Sequence, residues 1–399
     1  MSDAVDVATR PTEPEPANEP ADAPARRVTD RVVHVARRSG QTWLRPFALF
    51  AASRVVVLLA EAVAALLNPT KSFFQVAATW DSGYYVQIAM HGYPKTVPTS
   101  SGPPAQLVTA FFPGFSILIR IGKDLTGLSW FKVAFILAYG FSLLAAILLW
   151  YFVRELRDAQ VADRAVALFC FFPGAFVLSM TYSEPMFIAV SIACLWALTR
   201  RQWVLAGVLA AVATFTRSNG LADCVACAFA SGVAIYQRRE WRSLIAPALS
   251  PLGVIVFFGY LWRHTGDARV WFKVQKYGWD QHFDPLVFPY AVKKFFQHPT
   301  QNVELIVTMA SCAFLLGLLF FVPRSRLPWT LYVYGAVVIG MTMYTYLLPR
   351  PRFVLTAFPF LVAPVERLKP FTFQVLMVVM AGGLAILTAV TLSGIYVGP

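Results

Sequence analysis

Residues 131–153 read FKVAFILAYGFSLLAAILLWYFV, a run of 23 residues with one charged side chain, Lys132. A helix needs about 20 mostly apolar residues to cross the hydrocarbon core of a bilayer, so this run predicts a transmembrane helix. The whole chain has the same character, because 57% of its 399 residues are hydrophobic, 14% are charged and the mean hydropathy is +0.58. A soluble domain carries about a quarter charged residues. The composition therefore excludes an ordinary soluble enzyme and indicates a polytopic membrane protein.

Ten further apolar runs predict transmembrane helices, since lipid offers no hydrogen-bond partner to backbone N–H and C=O groups that are not paired within a helix. The eleven predicted spans lie near 47–67, 131–153, 165–181, 185–199, 203–216, 220–236, 244–262, 303–322, 329–348, 353–364 and 370–395. The run 353–364 is too short to cross alone unless neighbouring residues extend it. The predicted fold class is an all-α polytopic membrane protein with about eleven transmembrane helices.

Basic residues collect in alternate short connections, which predicts the orientation because Arg and Lys stay on the cytoplasmic side. These connections contain Arg37, Arg38, Arg45, Arg154, Arg157, Arg164, Arg200, Arg201, Arg238, Arg239, Arg242, Arg324, Arg326, Arg367 and Lys369. The N-terminus is predicted to be cytoplasmic and the C-terminus outside. Two long connections, about 68–130 and 263–302, then lie on the outer face. The second is basic for an outer loop, which indicates an anion site, a long loop that escapes the rule, or a miscounted span.

The N-terminal segment differs from the rest of the chain. Residues 1–25 hold six acids, one base, five prolines and no apolar run, which predicts that 1–40 is a disordered cytoplasmic tail and not a signal peptide. A transmembrane domain follows over 41–399. The net charge is +13 overall and −5 over 1–25, so residues 26–399 carry +18. In a membrane protein this excess is typical of loops that touch anionic lipid, and nucleic-acid binding is not predicted.

One acid stands out in the first predicted outer loop. Asp81, in Trp80-Asp81-Ser82-Gly83-Tyr84-Tyr85, is the only acid between Glu61 and Asp124, and it precedes a short amphipathic stretch with Tyr85, Ile88 and Ala89 on one face. It either caps the N-terminus of a short helix or directs a carboxylate at a substrate hydroxyl as a general base. The spacing alone favours the cap. The neighbouring aromatic residues Trp80, Tyr84 and Tyr85 are candidates to stack on a sugar.

Further charged candidates lie in the other outer connections. Glu184, in Thr181-Tyr182-Ser183-Glu184-Pro185, is either a functional carboxylate or a solvated turn residue. The cationic candidates are Arg217, His264, Lys273, Lys276, Arg350 and Arg352. Arg contacts phosphate through paired hydrogen bonds, which Lys and His can support, although each of these residues could instead anchor a lipid headgroup. Their convergence with the carboxylates on one predicted face favours a site.

Several motifs are absent from the sequence. It has no P-loop, no Rossmann glycine pattern, no HExxH and no Asp-x-Asp motif that would indicate a metal-held nucleotide sugar. No cofactor is predicted, and a divalent ion bound to the phosphate of the donor is left as an alternative. A sugar carried on a lipid phosphate within the membrane is the donor that suits an outward-facing site. Apart from two FFPG strings there is no internal repeat of the kind that transporters show.

Five strings occur in the order and spacing of a known family. They are WDSGYYVQIAMHGYP (80–94), AFFPGFSILIR (110–120), FFPGAFVLSMTYSEPMFIAVSIACLWALTRRQWVLAGVLAAVATFTRSNG (171–220), YLWRHTGDARVWFKVQKYGW (260–279) and LLPRPRFVLTAFPF (347–360). The set resembles the bacterial branch of the PIG-V mannosyltransferase family, which is related to GPI mannosyltransferase 2, over about 45–365. The resemblance implies the GT-C glycosyltransferase fold, a multi-span bundle with amphipathic helices and a catalytic carboxylate in the first outer loop. Eukaryotic members of the family use dolichyl phosphate mannose to add the second mannose of the GPI anchor.

The resemblance also implies roles for individual residues. Asp81 takes the position of the general base, with Trp80 beside it. Glu184 matches the Ser-Glu turn of the family, and Arg217 and Arg352 match its Thr-Arg and Arg-Phe/Tyr positions. Gln275 and Trp279 match its Gln and Trp-Gly region, where this sequence departs by reading QKYGWD over 275–280.

The predicted function is transfer of mannose, with inversion, from a polyprenyl phosphate mannose donor to a glycan or lipoglycan acceptor on the outer face of the cell membrane. Arg217 and Arg352, with His264 or Lys276, are predicted to stabilise the leaving phosphate. The expected partners are the donor, the acceptor and membrane lipids. The alternatives are a polyprenyl phosphate-dependent transferase of glucose or arabinofuranose, a lipid-sugar flippase or transporter, and an assembly subunit without catalysis.

Overall fold

The computed structural model describes residues 44–67, 80–96, 104–298, 302–345 and 348–393, so the predicted tail over 1–40 lies outside the described residues. The described residues form seventeen α-helices and five short 3₁₀ helices, without a β-strand among them. In chain order the α-helices are α1 (Leu44–Leu67), α2 (Ser82–His91), α3 (Pro113–Thr126), α4 (Trp130–Leu156), α5 (Ala159–Phe171), α6 (Glu184–Thr199), α7 (Trp203–Thr216), α8 (Leu221–Arg238), α9 (Ile245–Leu249), α10 (Leu252–Thr265), α11 (Val270–Trp279), α12 (Val287–Gln297), α13 (Val303–Leu319), α14 (Trp329–Met343), α15 (Pro351–Thr356), α16 (Pro359–Val362) and α17 (Pro370–Leu392). The 3₁₀ helices are Pro104–Ala110, Pro173–Ser179, Ser218–Gly220, Trp241–Leu244 and Val322–Arg324.

Six helical segments in the described residues are long and apolar enough to cross a membrane, or seven if one bent pair counts as a span. They are Leu44–Leu66, Trp130–Leu156, Ser218–Arg238, Trp241–Thr265, Val303–Arg324 and Pro370–Leu392. Three shorter apolar helices, α6, α7 and α14, pack into the same bundle. The protein is therefore a multi-pass, all-helical membrane protein, as predicted. The count of eleven spans stays a prediction.

The predicted spans 165–181 and 353–364 are not continuous helices. The run 165–181 forms α5 and the 3₁₀ helix Pro173–Ser179, which are bent by 78° relative to each other. Pro173 causes the break, because it lacks a backbone N–H and disfavours helical backbone at Phe172, whose ψ is 139°. The run 353–364 forms the short helices α15 and α16, and each begins with a proline.

A buried arginine stabilises the bend. Arg54 on α1 is 4% exposed and donates to the carbonyl oxygens of Cys170 at 3.2 Å and Ala175 at 3.0 Å, and to Ser179 Oγ at 2.6 Å. A backbone carbonyl left without a partner in lipid costs several kcal/mol, so these hydrogen bonds compensate for the broken helix. They also fix the 3₁₀ helix Pro173–Ser179, against which α15 packs.

Short helices cover one end of the bundle. The first predicted outer loop contains α2 and the amphipathic α3, and the prediction that Tyr85, Ile88 and Ala89 share a buried face of α2 is confirmed. The second predicted outer loop contains α11, whose Val274 packs in the same apolar cluster as Ile88. These helices bring the loop residues together above the bundle.

Candidate active site

A cavity of about 300 Å³ lies where four connections of the chain meet. It is lined by Trp80, Asp81, Tyr85, Ala110, Phe111, Phe112, Thr216, Arg217, Ser218, Asn219, Gln275, Trp279, Gln281, Arg350, Arg352 and Phe353. Eight of the thirteen predicted site residues are among them: Trp80, Asp81, Tyr85, Arg217, Gln275, Trp279, Arg350 and Arg352. The predicted convergence of distant connections therefore corresponds to one open cavity, and the roles of these residues stay predictions.

Asp81 occupies the N-cap position of α2, but its side chain makes no capping hydrogen bond. Its Oδ2 instead accepts a hydrogen bond from Arg352 Nη1 at 3.0 Å, and its backbone N–H donates to Tyr182 Oη at 3.3 Å. A capping Asp contributes about 1 kcal/mol to helix stability, and α2 forgoes that contribution. The interpretation of Asp81 as a helix cap is wrong, and its carboxylate belongs to the cavity.

The backbone immediately before Asp81 is strained. Trp80 has a φ of 58°, a left-handed conformation that a bulky residue rarely adopts and that costs on the order of 1–3 kcal/mol. This conformation turns the chain sharply into α2, so that Trp80 and Asp81 both line the cavity. Strain of this kind is tolerated where the surrounding structure holds a residue in a required position.

Glu184 lies below the cavity and has no exposed surface. Its Oε2 is 2.6 Å from Arg217 Nη1, and its Oε1 is 3.6 Å from Arg352 Nη1. It begins α6, where the helix dipole favours a negative charge. The interpretation as a solvated turn residue is wrong. Glu184 does not line the cavity, and its contacts orient two arginines that do.

A second helix cap also turns away from its helix. Ser183 is the N-cap residue of α6 without a side-chain capping hydrogen bond. Its Oγ is 2.6 Å from Tyr85 Oη and accepts a hydrogen bond from Arg217 Nη1 at 3.0 Å. Burial raises the pKa of the Tyr85 phenol, so that this hydroxyl stays neutral. Arg217 is thus held by three residues, which are Tyr85, Ser183 and Glu184.

Arg352 is buried among opposite charges. Burial lowers the pKa of its guanidinium, but the nearby carboxylates of Asp81 and Glu184 raise that pKa by more, so Arg352 stays protonated. Its Nε has no hydrogen-bond partner among the described residues. The neighbouring Arg350 forms an ion pair with Glu304. The cavity therefore presents guanidinium donors beside one accessible carboxylate.

Four other predicted residues lie outside the cavity lining, and one of them, Lys273, forms an ion pair with Asp267 at 2.6 Å. Tyr84 stacks on Phe111 with ring centroids 4.9 Å apart and meets Trp279 edge-on at 5.4 Å, so it supports the cavity wall. His264 Nε2 lies 2.9 Å from the carbonyl oxygen of Tyr93. The Lys276 ammonium lies 5.6 Å from the ring centroid of its neighbour Tyr277.

Several polar residues near the cavity were not predicted as site residues from the sequence. Asn219 and Gln281 line it, and Tyr182 and Ser183 contact its charged residues. Asn219 is 5% exposed, and its Nδ2 has no partner among the described residues. Its position two residues after Arg217, in a predicted outer connection, is the signal that could have identified it.

The two FFPG strings have a structural explanation. A methyl group on Gly174 would lie 2.3 Å from the carbonyl oxygen of Pro351 and 3.0 Å from the backbone nitrogen of Arg352. A methyl group on Gly114 would lie 2.9 Å from Thr216 Oγ1, in the residue before Arg217. Each glycine therefore permits a close approach to the backbone that carries one of the two site arginines.

The described residues contain no group of three or more His, Cys, Asp and Glu side chains arranged to hold a metal ion. Their arrangement can bind an anion through arginines and accept a proton on Asp81.

Comparison with known proteins identifies the family. Residues 48–253, just over half of the chain, match the family described as Mannosyltransferase (PIG-V). A segment of 153 residues is 34% identical to GPI alpha-1,6-mannosyltransferase 2 of Cricetulus griseus, and one of 152 residues is 30% identical to that of Rattus norvegicus. Each match covers 36% of this chain and 29% of the relative, so less than a third of the curated relatives' length is matched.

The fold has a counterpart among solved structures. The chain is similar to the crystal structure of ArnT from Cupriavidus metallidurans bound to undecaprenyl phosphate, with a TM-score of 0.52 and 12% identity over 84% of this chain and 62% of that chain. The predicted GT-C fold is confirmed by this likeness and by the all-helical architecture. From the extent of the family match, the chain belongs to the PIG-V mannosyltransferase family.

Proposed function

We propose that the protein transfers a mannosyl residue from a polyprenyl phosphate donor to a hydroxyl group of a glycan or glycolipid acceptor. The observation that carries the proposal is the cavity in which Asp81 lies beside Arg217 and Arg352, both held by the buried Glu184. The family match supports mannose as the sugar. The undecaprenyl phosphate bound to the structurally similar ArnT supports a lipid phosphate as the carrier.

Asp81 is the proposed general base. Arg352 holds Oδ2, whereas no described residue donates a hydrogen bond to Oδ1, which is left to accept the proton of the acceptor hydroxyl. The acceptor oxygen then attacks the anomeric carbon from the face opposite to the phosphate, and the bond from that carbon to the phosphate oxygen breaks. A single displacement of this kind inverts the configuration and needs one base. Glu184 is fully buried and Glu304 is paired with Arg350, so neither supports a covalent intermediate.

Arg217 and Arg352 are proposed to stabilise the leaving phosphate, which gains negative charge as the bond breaks. Each contacts Asp81, Ser183, Tyr85 or Glu184 through Nη1, so the rest of each guanidinium fork can face an anion. Because Glu184 fixes both side chains before the substrate binds, little reorganisation is needed when the charge develops. Trp80 and Trp279 offer aromatic surface for the sugar ring.

An apolar cleft next to Arg217 supports a lipid-linked donor. The cleft has a volume of about 110 Å³ and shares Phe112, Arg217 and Ser218 with the main cavity. Leu221 and Val254, which also line it, belong to segments that are apolar enough to cross the membrane. Leu221 is 40% exposed, so the cleft opens toward lipid. A polyprenyl chain attached to a phosphate at Arg217 can leave the site through this cleft, whereas a nucleotide would find few polar partners there.

The side of the membrane on which the reaction takes place is part of the proposal. The basic connections alternate with the connections that build the cavity, and this distribution supports a cytoplasmic N-terminus and an active site on the outer face.

Donor selectivity in membranes that contain the protein tests the proposal. Membranes would receive polyprenyl phosphate mannose, polyprenyl phosphate glucose or a nucleotide-linked mannose, each with a radiolabelled sugar. We expect label to reach glycan or glycolipid only from polyprenyl phosphate mannose. Transfer from polyprenyl phosphate glucose alone would favour a glucosyltransferase that uses the same carrier. Movement of the intact donor across the membrane without transfer would favour a flippase. Transfer from the nucleotide sugar in purified protein would contradict the proposal.

A further inference from the structure

A second cavity, also of about 300 Å³, lies between α2, α3, α7 and α10. It shares no lining residue with the cavity that contains Asp81. Apolar side chains such as Ile88, Ile117, Val256 and Phe257 form most of its wall. A closed aromatic contact lies beside it, where Phe112 packs on Phe257 with ring centroids 4.7 Å apart. A ligand in this cavity would therefore have no direct access to Asp81.

This second cavity opens toward the lipid. Val256 and Tyr260 on α10 are 58% and 45% exposed, and both belong to the membrane-crossing segment Trp241–Thr265. Val256 precedes the end of α10 by nine residues, or about 14 Å of helix. Exposed apolar surface at that depth faces hydrocarbon chains. The opening is thus placed to admit one chain from the surrounding leaflet.

Two polar groups of α3 lie at this cavity, one turn apart on the same face of the helix. Ser116 is 1% exposed, and its Oγ has no hydrogen-bond partner among the described residues. Arg120 is exposed at the rim and donates from Nη1 to the carbonyl oxygen of Ala89 at 3.2 Å. It forms no ion pair with a described carboxylate, although Asp124 lies one turn further along α3.

A second cation lies on the neighbouring helix. Arg263 follows Val256 by seven residues and Tyr260 by three, so the three residues share one face of α10. Arg263 is exposed and forms no ion pair within the described part of the chain. The lipid-facing opening is therefore flanked by two arginines without carboxylate partners. This pattern is complementary to an amphiphile with one apolar chain in the cavity and a negative charge at its head.

We propose that this cavity binds an anionic phospholipid of the surrounding membrane. One acyl chain fills the apolar part, the phosphate contacts Arg120 near Arg263, and an ester oxygen offers the acceptor that the Ser116 hydroxyl lacks. The separation of the two cavities argues against the polyprenyl phosphate donor as the occupant, since its phosphate would be held away from Asp81. The inference does not depend on the proposed function.

Lipid titration of the purified protein, followed by native mass spectrometry, tests this inference. The probes are phosphatidylglycerol, phosphatidylcholine and undecaprenyl phosphate, and the quantity measured is the dissociation constant of the tightest lipid adduct. We expect phosphatidylglycerol to bind the unaltered protein more tightly than either other lipid. Arg120→Gln should weaken phosphatidylglycerol binding about fivefold and leave phosphatidylcholine binding unchanged.

A matched pair of valines tests the location of the bound lipid. Val256→Trp should fill the cavity and abolish the tight phosphatidylglycerol adduct. Val204→Trp is the control, because Val204 is 57% exposed on α7 but does not line the cavity. Equal phosphatidylglycerol binding by the two variants would overturn the proposal. The proposal would also be overturned if the unaltered protein bound phosphatidylcholine as tightly as phosphatidylglycerol, or if equimolar undecaprenyl phosphate displaced phosphatidylglycerol. If Val256→Trp does not fold, the exposed Arg120→Gln variant decides the question alone.

Discussion

Gly174→Ala tests whether the close approach of two backbone segments sets the position of Arg352. The added methyl group would lie 2.3 Å from the carbonyl oxygen of Pro351 and 2.5 Å from its carbonyl carbon. Ordinary contact begins at 3.4 Å, so one of the two segments must retreat by about 1 Å. The 3₁₀ helix Pro173–Ser179 is held by two hydrogen bonds from Arg54, and therefore the start of α15 is the part that should move.

A displacement of α15 would move Arg352 relative to Asp81. Arg352 Nη1 is 3.0 Å from Asp81 Oδ2, and a retreat of about 1 Å would leave that pair beyond hydrogen-bond distance. A misplacement of about 1 Å can cost about a hundredfold in rate. We expect Gly174→Ala to lower kcat about 10- to 100-fold and to reduce the free energy of unfolding by about 1–3 kcal/mol through overpacking.

The assay is mannosyl transfer by the purified variant, together with thermal unfolding followed by tryptophan fluorescence. Gly382→Ala on α17 is the matched control, because its methyl group would meet no atom within 4 Å. The control should keep the full rate and unfold at the same or a higher temperature, since Ala favours a helix over Gly by about 1 kcal/mol. A folded Gly174→Ala variant with the full transfer rate would refute the idea that this contact positions Arg352.

Three further changes follow from the charges of the site. Glu184→Gln removes the buried carboxylate between Arg217 and Arg352, so we expect about 3 kcal/mol of destabilisation and weaker donor use; an unchanged unfolding temperature would contradict this. Arg217→Lys keeps the positive charge but loses the planar fork, so the KM for the donor should rise about tenfold while the KM for the acceptor stays the same; the reverse pattern would place the phosphate elsewhere. Treatment with EDTA should leave the transfer rate within about twofold of the untreated enzyme, and a loss that Mg²⁺ restores would show that a metal ion takes part.

The sequence predicted the class of fold because apolar runs of about 20 residues have few alternatives in lipid. It also predicted which connections meet. Basic residues collect in alternate connections, so the connections between them were all assigned to the opposite face of the membrane. It did not predict where spans break. Pro173 bends one span by 78°, and the surrounding structure tolerates the bend because Arg54, more than a hundred residues earlier, supplies the missing hydrogen bonds. No local pattern contains such a long-range partner.

The individual roles of site residues were harder to predict for a related reason. Local propensity favoured Asp81 as a helix cap, but its carboxylate contacts Arg352, which lies 271 positions later in the chain. Ser183 departs from local preference in the same way. Residues whose tertiary contacts override a local preference are expected at functional sites. Conversely, His264 and Lys276 have the right charge and predicted side of the membrane, but the orientation of their helices directs their contacts to Tyr93 and Tyr277.

The most direct test of the central claim is the rate of mannosyl transfer by purified Asp81→Asn, measured beside Asp124→Asn. Asp124 is an exposed acid on α3 in the same predicted outer loop, and its substitution controls for the loss of one negative charge. We predict that Asp81→Asn lowers the rate at least about a hundredfold, while its unfolding temperature and donor binding are retained and Asp124→Asn transfers normally. Near-normal transfer by a folded Asp81→Asn variant would contradict the assignment of Asp81 as the general base.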